Sequence, residues 1–175
     1  ADRGRGFMAA FVSLKIRDYR YMWYGQVSSS TAMHADILAR SWLTYQLTGS
    51  TLSVALVEVM RAIPMLTLGL FAGVVADRME KRHLLMAIQG WNVVIFAVMA
   101  TLVLTGSIQL WHVYTYSGLI GVGHAMNQPV RMSFIPQLVG PVHMLNAVSL
   151  SSIAINSTRL VGPAMVGVLI AAAGG

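Results

Sequence analysis

Long apolar stretches separated by short polar connections follow one another along almost the whole chain. The five stretches cover residues 22–48, 52–76, 84–106, 110–136 and 145–174. Each reaches the ~20 residues that a helix needs to cross the hydrocarbon core of a bilayer, and each is too long for a barrel strand. Because backbone groups in lipid must bond within their own segment, these stretches should be helices. The pattern therefore predicts an all-α integral membrane protein with five transmembrane helices over residues 22–175.

The connections between the stretches are short and rich in residues that favour turns. They read Thr48-Gly49-Ser50, residues 77–81, Gly106-Ser107 and Gly140-Pro141. Glycine and proline interrupt regular helix more strongly than any other residues. We therefore expect the chain to leave the membrane at these four points.

Basic residues cluster in alternate connections, and this asymmetry predicts the orientation. The clusters consist of Arg3, Arg5, Lys15, Arg17 and Arg20 before the first stretch, and of Arg78, Lys81 and Arg82 between the second and third. Residues 48–52 and 106–110 contain neither Lys nor Arg. Since cytoplasmic loops are enriched in basic residues, we expect a multi-pass protein of the inner (plasma) membrane with a cytoplasmic N-terminus. Residues 1–21 would form a cytoplasmic segment, in which the mixture of apolar and basic residues at 7–20 is typical of a segment lying on the lipid surface.

The composition supports the membrane class and argues against several others. Hydrophobic residues make up 56% of the chain and charged residues 10%, against roughly 25% charged residues in soluble domains. The net charge of +6 arises in the clusters between apolar stretches, so membrane lipid explains it better than nucleic acid does. The chain has no Cys, and it shows no metal-spaced His cluster, nucleotide-binding glycine loop or nucleophile elbow. We therefore predict neither an enzyme nor a bound cofactor or metal.

Several charged residues fall inside the apolar stretches. Among them are Asp36, Arg40, Glu58, Arg61 and Arg159. Each would cost several kcal/mol if it faced lipid, so they should point into the helix bundle and pair, or line a wet cavity. A helical rise of about 1.5 Å per residue places Asp36, Arg61 and Arg159 at similar depths. The sequence therefore predicts a cluster of Asp36, Glu58, Arg61 and Arg159 near the middle of the membrane.

Static ion pairs are the alternative interpretation of these charges. Glu58 and Arg61 are three residues apart, and Asp36 and Arg40 are four apart. Both spacings bring side chains together on one helix face. Pairs of this kind would hold the helices together without any further role, and this alternative stays open.

Residues 73–82 carry the first family motif. They read Gly-Val-Val-Ala-Asp-Arg-Met-Glu-Lys-Arg and resemble the signature between helices 2 and 3 of the major facilitator superfamily. In that superfamily the network latches the cytoplasmic side shut, with the glycine allowing close helix approach. The resemblance assigns this latch to Gly73, Asp77, Arg78, Lys81 and Arg82. A solvated basic loop without a latch remains the alternative.

The second motif lies in the fifth stretch, where residues 159–167 read Arg-Leu-Val-Gly-Pro-Ala-Met-Val-Gly. This resembles the Gly-Pro-x-x-Gly element in helix 5 of facilitator antiporters, and it assigns that element to Gly162, Pro163 and Gly167. Pro163 removes one backbone hydrogen bond and bends a helix, while the glycines narrow its surface for packing. Two positions depart from the extended pattern, Thr158 and Val166.

Further matches extend the resemblance over most of the chain. They occur at residues 14–26, 42–50, 61–64, 129, 136–139 and 145–147. Together they are similar to the superfamily branch called transmembrane secretion effectors, which includes the enterobactin exporter and macrolide efflux proteins. The resemblance implies helices 1–5 of a 12-helix major facilitator bundle. One departure is that residues 114–126 contain no Arg, whereas many drug–proton antiporters carry one inside helix 4.

The resemblance implies a secondary active transporter that exports a small amphipathic molecule by proton-coupled alternating access. An acid in a low-dielectric interior binds and releases a proton as a cation approaches or withdraws. Asp36 is accordingly the predicted proton-coupling carboxylate, with Arg61 or Arg159 as its alternating partner. The competing hypothesis, from a different class, is a non-transporting facilitator-like subunit or assembly factor of another membrane complex.

The chain is expected to continue beyond residue 175. It begins with Ala1 and stops at Gly175, directly after an apolar stretch. Five helices are an odd number for transporters built from three-helix repeats nested in six-helix halves. We expect a truncation before helix 6, with the missing C-terminal half of the same protein as a partner, while a natural end at Gly175 stays open.

Overall fold

The computed structural model of the protein describes residues 13 and 16–172, without the side chains at 70, 74–77 and 141–143. In this part of the chain the regular structure is helical. The helices are α1 (Arg17–Thr48), α2 (Thr51–Arg78), α3 (Lys81–Leu104) and α4 (Leu110–Ala172). Gly140 has a non-helical backbone (φ 69, ψ 172) and divides α4 into a first half, 110–139, and a second half, 141–172. The prediction of an all-α fold is confirmed for the described residues, and the five predicted stretches fall on α1, α2, α3 and the two halves of α4.

Three of the predicted turns are made by glycines in the left-handed region of backbone space. The φ angles are 63 at Gly49, 68 at Gly106 and 69 at Gly140. Residues with a Cβ rarely adopt this conformation, so glycine is the residue that ends a helix most easily. These three glycines therefore set the ends of α1 and α3 and the break in α4.

The connection between α2 and α3 is shorter than the sequence suggested. Only Met79 and Glu80 separate the two helices, because α2 continues to Arg78 and α3 begins at Lys81. The prediction that Asp77 lies in the connection is therefore wrong, since its backbone belongs to the last turn of α2. Glu80 is the residue at the N-cap of α3 (φ −64, ψ 114), and it makes no side-chain capping hydrogen bond.

The predicted interfacial segment falls mostly on residues 1–12 and 14–15, which lie outside the described part of the chain. Its last residues form the first turn of α1, which begins at Arg17 and therefore ahead of the predicted span. Arg17 and Asp18 are exposed there and approach each other to 3.7 Å. The surface location of residues 7–20 remains a prediction.

Three helices in the described part are long and apolar enough to cross a membrane. They are Thr51–Gly69, Lys81–Leu104 and Met144–Ala172. The other two predicted spans, 22–48 and 110–136, also form helices, but these helices are too polar to be counted among the three. In α1 the cause is the run of Ser28, Ser29, Ser30 and Thr31 together with its charged residues. Polar helices need partners that shield them from lipid, whereas the three apolar helices expose large side chains such as Leu66, Leu104 and Leu160.

The structure divides into two units, of which the first comprises residues 1–39 and 135–175. Here α1 packs against the second half of α4. The hydroxyl of Tyr19 donates to the carbonyl of Ala147 (2.8 Å), and the amide of Gln26 donates to the carbonyl of Ser151 (3.4 Å). The later residue of α1 contacts the later residue of α4, so the two helices run parallel. The first and fifth spans of an alternating topology run in the same direction, as these helices do.

The second unit comprises residues 40–134. Here α3 packs antiparallel to the first half of α4 around two apolar clusters. The clusters are Leu84, Ile88 and Val130, and then Ile95, Tyr116 and Ile120. The indole N–H of Trp91 donates to the carbonyl of Leu119 (3.1 Å) between them. This hairpin leaves the opposite faces of both helices for other contacts.

Candidate functional site

An ion cluster of Arg40, Glu58 and Arg61 lies within the second unit. Nη2 of Arg40 is 2.6 Å from Oε1 of Glu58. Nε of Arg61 donates to Oε2 of Glu58 at 3.0 Å, and Nη2 lies 2.8 Å from the same oxygen. One carboxylate therefore contacts two guanidinium groups through its two oxygens.

Two features of the sequence build this cluster. Glu58 and Arg61 are three residues apart on α2 and share a face of that helix. Arg40 on α1 and Glu58 on α2 lie nine residues before and nine residues after Gly49. Because the chain turns at Gly49, equal distances from the turn bring the two side chains to the same level. The pair is thus a consequence of the helical hairpin.

Close packing against α4 fixes the backbone of the cluster. A Cβ added to Gly121 would overlap the carbonyl oxygen of Arg61, whereas one added to Gly118 would lie 3.8 Å from the carbonyl oxygen of Met60. Pro64 lies inside α2 and has no N–H to offer the carbonyl of Met60, four residues earlier. The small residues of α4 therefore lie against the segment of α2 that proline has loosened.

Burial differs sharply within the cluster. The side chain of Arg40 is 1% exposed, that of Arg61 20% and that of Glu58 32%. A buried guanidinium charge is costly unless it is compensated, and Glu58 supplies a compensating carboxylate to Arg40. Arg40 thus anchors Glu58 from the protein interior, while Arg61 and Glu58 retain an accessible edge.

The structure brings together two of the four residues predicted for the central cluster, Glu58 and Arg61, and adds Arg40. Asp36 and Arg159 belong to the first unit. Asp36 is half-buried on α1, and Arg159 is exposed on the second half of α4. Their participation with Glu58 and Arg61 remains a prediction.

Gly162 lies where α1 and the second half of α4 approach most tightly. A Cβ there would be 2.8 Å from the Cβ of His34, 2.9 Å from the carbonyl oxygen of Thr31 and 3.0 Å from the backbone nitrogen of Ala35. Two of these three atoms belong to the backbone, which cannot move aside as a side chain can. Gly167 has no atom within 4 Å of such a Cβ. Within the helix-5 element the two glycines therefore differ: Gly162 is needed for packing in this structure and Gly167 is not.

His34 itself makes a local backbone contact. Its Nδ1 donates to the carbonyl of Ser30, four residues earlier, at 2.7 Å. Pro163 follows Gly162 in the helix and has no N–H for the carbonyl of Arg159. The tight crossing thus coincides with a loosened turn of α4.

The predicted latch is only partly described. Arg78 and Arg82 are exposed and Lys81 is half-buried, while the side chain of Asp77 lies outside the described residues. Gly73 has no atom within 4 Å of an added Cβ, so the expected close helix approach at this glycine is not seen in the described part of the chain.

A side-chain contact at the α2–α3 connection joins Glu80 and His83. Oε2 of Glu80 lies 2.8 Å from Nδ1 of His83, and both side chains are exposed. Glu80 stands where the general signature often has Gly, and its negative φ requires no glycine. The connection therefore tolerates this departure from the family pattern.

Arg131 is a buried cation that does not belong to the predicted set of site residues. The residue is only 6% exposed. Its Nε donates to Oδ1 of Asn127 (2.6 Å), whose Nδ2 in turn donates to Oε1 of Gln89 on α3 (3.4 Å). The sequence does indicate this residue, because Arg131 is a charged residue inside the predicted span 110–136. The first half of α4 thus carries its Arg outside residues 114–126, on the polar contact with α3.

Comparison with known proteins gives one family and two relatives. The model of the transmembrane secretion effector family matches residues 8–175. The chain is 27% identical over 150 residues to the staphyloferrin A transporter of Staphylococcus aureus (strain NCTC 8325 / PS 47), covering 85% of the chain and 35% of that protein. It is 29% identical over 148 residues to the uncharacterized MFS-type transporter YfiS of Bacillus subtilis (strain 168), covering 84% and 34%. No solved structure matches the chain significantly.

These matches confirm the resemblance seen in the motifs. The chain spans about a third of the length of the curated relatives it matches. Both relatives are transporters, which confirms the expectation that the chain is not an enzyme. Because the family model extends from residue 8 to residue 175, the chain belongs to the transmembrane secretion effector family of the major facilitator superfamily.

Proposed function

We propose that the full-length protein containing this chain is a secondary active transporter of the inner (plasma) membrane, with a cytoplasmic N-terminus, that exports a small amphipathic molecule. The observation that carries the proposal is the ion cluster of Arg40, Glu58 and Arg61 within membrane helices of this family. Charges inside a membrane protein are costly and commonly mark the pathway of a substrate or proton. The staphyloferrin A transporter supports a small molecule as the class of cargo.

The helix contacts support a mechanism of alternating access. Gly162 against α1 and Gly121 against α2 are narrow, backbone-to-backbone crossings. Small residues let helix backbones approach this closely, and alternating access moves bundles of packed helices as largely rigid bodies. Pro64 and Pro163 loosen one turn beside each crossing. We place a hinge of the transport cycle at the Pro163 turn.

Proton coupling is assigned to Asp36. Protonation of Glu58 would remove the charge that holds both Arg40 and Arg61, which argues against Glu58 as the group that loads a proton in every cycle. Asp36 is half-buried on α1, where a change in the distance to a cation such as Arg61 or Arg159 would alter its proton affinity.

The motif between α2 and α3 is proposed to act as the cytoplasmic latch. Arg78 and Arg82 are exposed at the end of α2 and the start of α3. Exposed cations on both sides of a two-residue connection can bind a carboxylate or a helix end when the cytoplasmic side closes. Asp77 would complete this network.

Export can be tested in bacteria that lack their own major efflux pumps. We expect expression of the full-length protein to lower accumulation of at least one of three probes: staphyloferrin A, 8-anilinonaphthalene-1-sulfonate or N-phenyl-1-naphthylamine. Collapse of the proton gradient with a protonophore should restore accumulation. Unchanged accumulation of all three probes, with the protein present in the membrane, would contradict the proposal and favour a non-transporting subunit.

A further inference from the structure

The hydrogen-bond donors that Arg61 does not use on Glu58 point to an anion on the transported molecule. Two guanidinium groups, those of Arg40 and Arg61, contact the single carboxylate of Glu58. Arg61 directs Nε and Nη2 at one oxygen of that carboxylate. A guanidinium has five N–H donors, and the remaining donors of Arg61 meet no acceptor within the part of the chain that the structure describes.

The position of Arg61 makes these donors significant. Arg61 lies ten residues after the start of α2 at Thr51, or about 15 Å along the helix axis. Its side chain is 20% exposed and that of Glu58 is 32% exposed. Charged surface at this depth is too costly to face lipid, so this edge must face a polar pathway or a counter-ion.

The neighbouring surface of α2 is apolar. Met65 and Leu68 follow Arg61 at helical spacing and are exposed on the same face. A cation at one end of an apolar strip fits a molecule that has one anionic group and an apolar body. Gly121 supports the site from behind, because its contact with the carbonyl of Arg61 fixes the backbone that carries the guanidinium. A fixed backbone lowers the entropic cost of binding.

We propose that Arg61 receives an anionic group of the cargo, a carboxylate, sulfonate or phosphate, while Glu58 holds its guanidinium in place. This inference rests on the proposed transport function and narrows its substrate class to amphipathic anions. The competing occupant is a carboxylate elsewhere in the full-length protein, which would make the site a static ion pair.

The test compares two fluorescent probes that differ by a single sulfonate group. These are 8-anilinonaphthalene-1-sulfonate and the neutral N-phenyl-1-naphthylamine. Each is titrated into the full-length protein in lipid nanodiscs, with binding to empty nanodiscs subtracted. Equilibrium binding requires no proton gradient and no transport, so a failure of this inference is distinguishable from a failure of the proposed function.

The variants are R61Q, R61K and, as a control, R17Q. We expect R61Q to raise the Kd for the sulfonate roughly ten-fold and to change the Kd for the neutral probe less than about two-fold. R61K should give an intermediate loss for the sulfonate, because it retains a charge but lacks the planar fork. R17Q should leave both constants unchanged, since Arg17 is exposed near the start of α1.

Three outcomes would overturn the inference. They are the absence of sulfonate binding to the wild-type protein, an unchanged sulfonate Kd in R61Q, and an equal loss of both probes. The second would indicate that a carboxylate of the protein already occupies Arg61. Should R61Q fail to insert into membranes, R61K decides alone: a selective loss of the sulfonate supports the inference and an unchanged Kd overturns it.

Discussion

At the scale of single residues, Glu58 is the side chain on which the described site depends. It is the carboxylate of the ion pair with Arg40, whose side chain is 1% exposed. Removal of one partner of a buried pair leaves an uncompensated charge and costs about 3 kcal/mol or more. The stability of the protein should therefore be sensitive to Glu58 in a way that an exposed ion pair would not show.

A matched pair of substitutions tests this dependence. Glu58→Gln should lower the thermal unfolding midpoint of the detergent-solubilised full-length protein, because the carboxylate charge that lies 2.6 Å from the buried guanidinium of Arg40 is removed. The control is Glu80→Gln, which removes the exposed carboxylate that contacts His83 and should cost less than about 1 kcal/mol. Equal midpoints for the two variants would show that Glu58 does not hold a buried charge.

Part of this site could be predicted from the sequence, and there are physical reasons why the remaining contacts could not. Glu58 and Arg61 were recognisable because their spacing places them on one helix face. The sequence analysis paired Arg40 only with Asp36, which lies on the same helix. Arg40 and Glu58 are each nine residues from Gly49, and this equal distance from the turn was the available indication of a pair between the two helices. The contact of Gly121 with Arg61 could not be predicted, because it depends on which helix packs against which.

At the scale of elements, the crossing of α1 with the second half of α4 depends on one glycine. A Cβ at Gly162 would approach backbone atoms of Thr31 and Ala35 to 2.9 and 3.0 Å. The helices would have to separate, and overpacking of this kind typically costs about 1–3 kcal/mol. Gly167, one and a half turns further along, meets open space.

The prediction is therefore a difference between two glycines of the same motif. Gly162→Ala should lower the thermal unfolding midpoint and reduce transport, whereas Gly167→Ala should be neutral or slightly stabilising, since Ala favours helix more than Gly does by about 1 kcal/mol. Both variants can be measured in parallel at equal expression. If Gly162→Ala were as stable and active as Gly167→Ala, the tight crossing would play no part in folding or transport.

The boundaries of the elements show where sequence patterns succeed and where they fail. Gly49, Gly106 and Gly140 were identified as turns because a glycine after an apolar stretch has a physical role in ending a helix. Asp77 was placed in a loop because it is charged, yet α2 continues to Arg78. A charged residue does not interrupt a helix. The charges at 77 and 78 therefore indicate where α2 is expected to leave the membrane, and they do not indicate where the helix ends.

At the scale of the whole molecule, residues 16–172 combine three strongly apolar helices with two more polar ones, the two halves of α4 counted separately. The polar helices are α1 and the first half of α4, and they carry Arg40, Asp36 and Arg131. Apolar helices can face lipid, whereas polar helices need protein or water around them. This division is compatible with the proposed transport function, and Asp36 on α1 is the group that most directly tests the proposed coupling mechanism.

The decisive measurement follows proton-driven transport by the Asp36→Asn variant in proteoliposomes. The full-length wild-type protein should accumulate a probe that it exports from cells when a pH gradient is imposed, and it should exchange that probe across the membrane without a gradient. We predict that Asp36→Asn abolishes gradient-driven accumulation and retains exchange, because the variant keeps the binding site but no longer carries a proton. Arg40→Gln, which leaves Asp36 intact, controls for loss of a structural pair. Normal gradient-driven accumulation by Asp36→Asn would contradict the account.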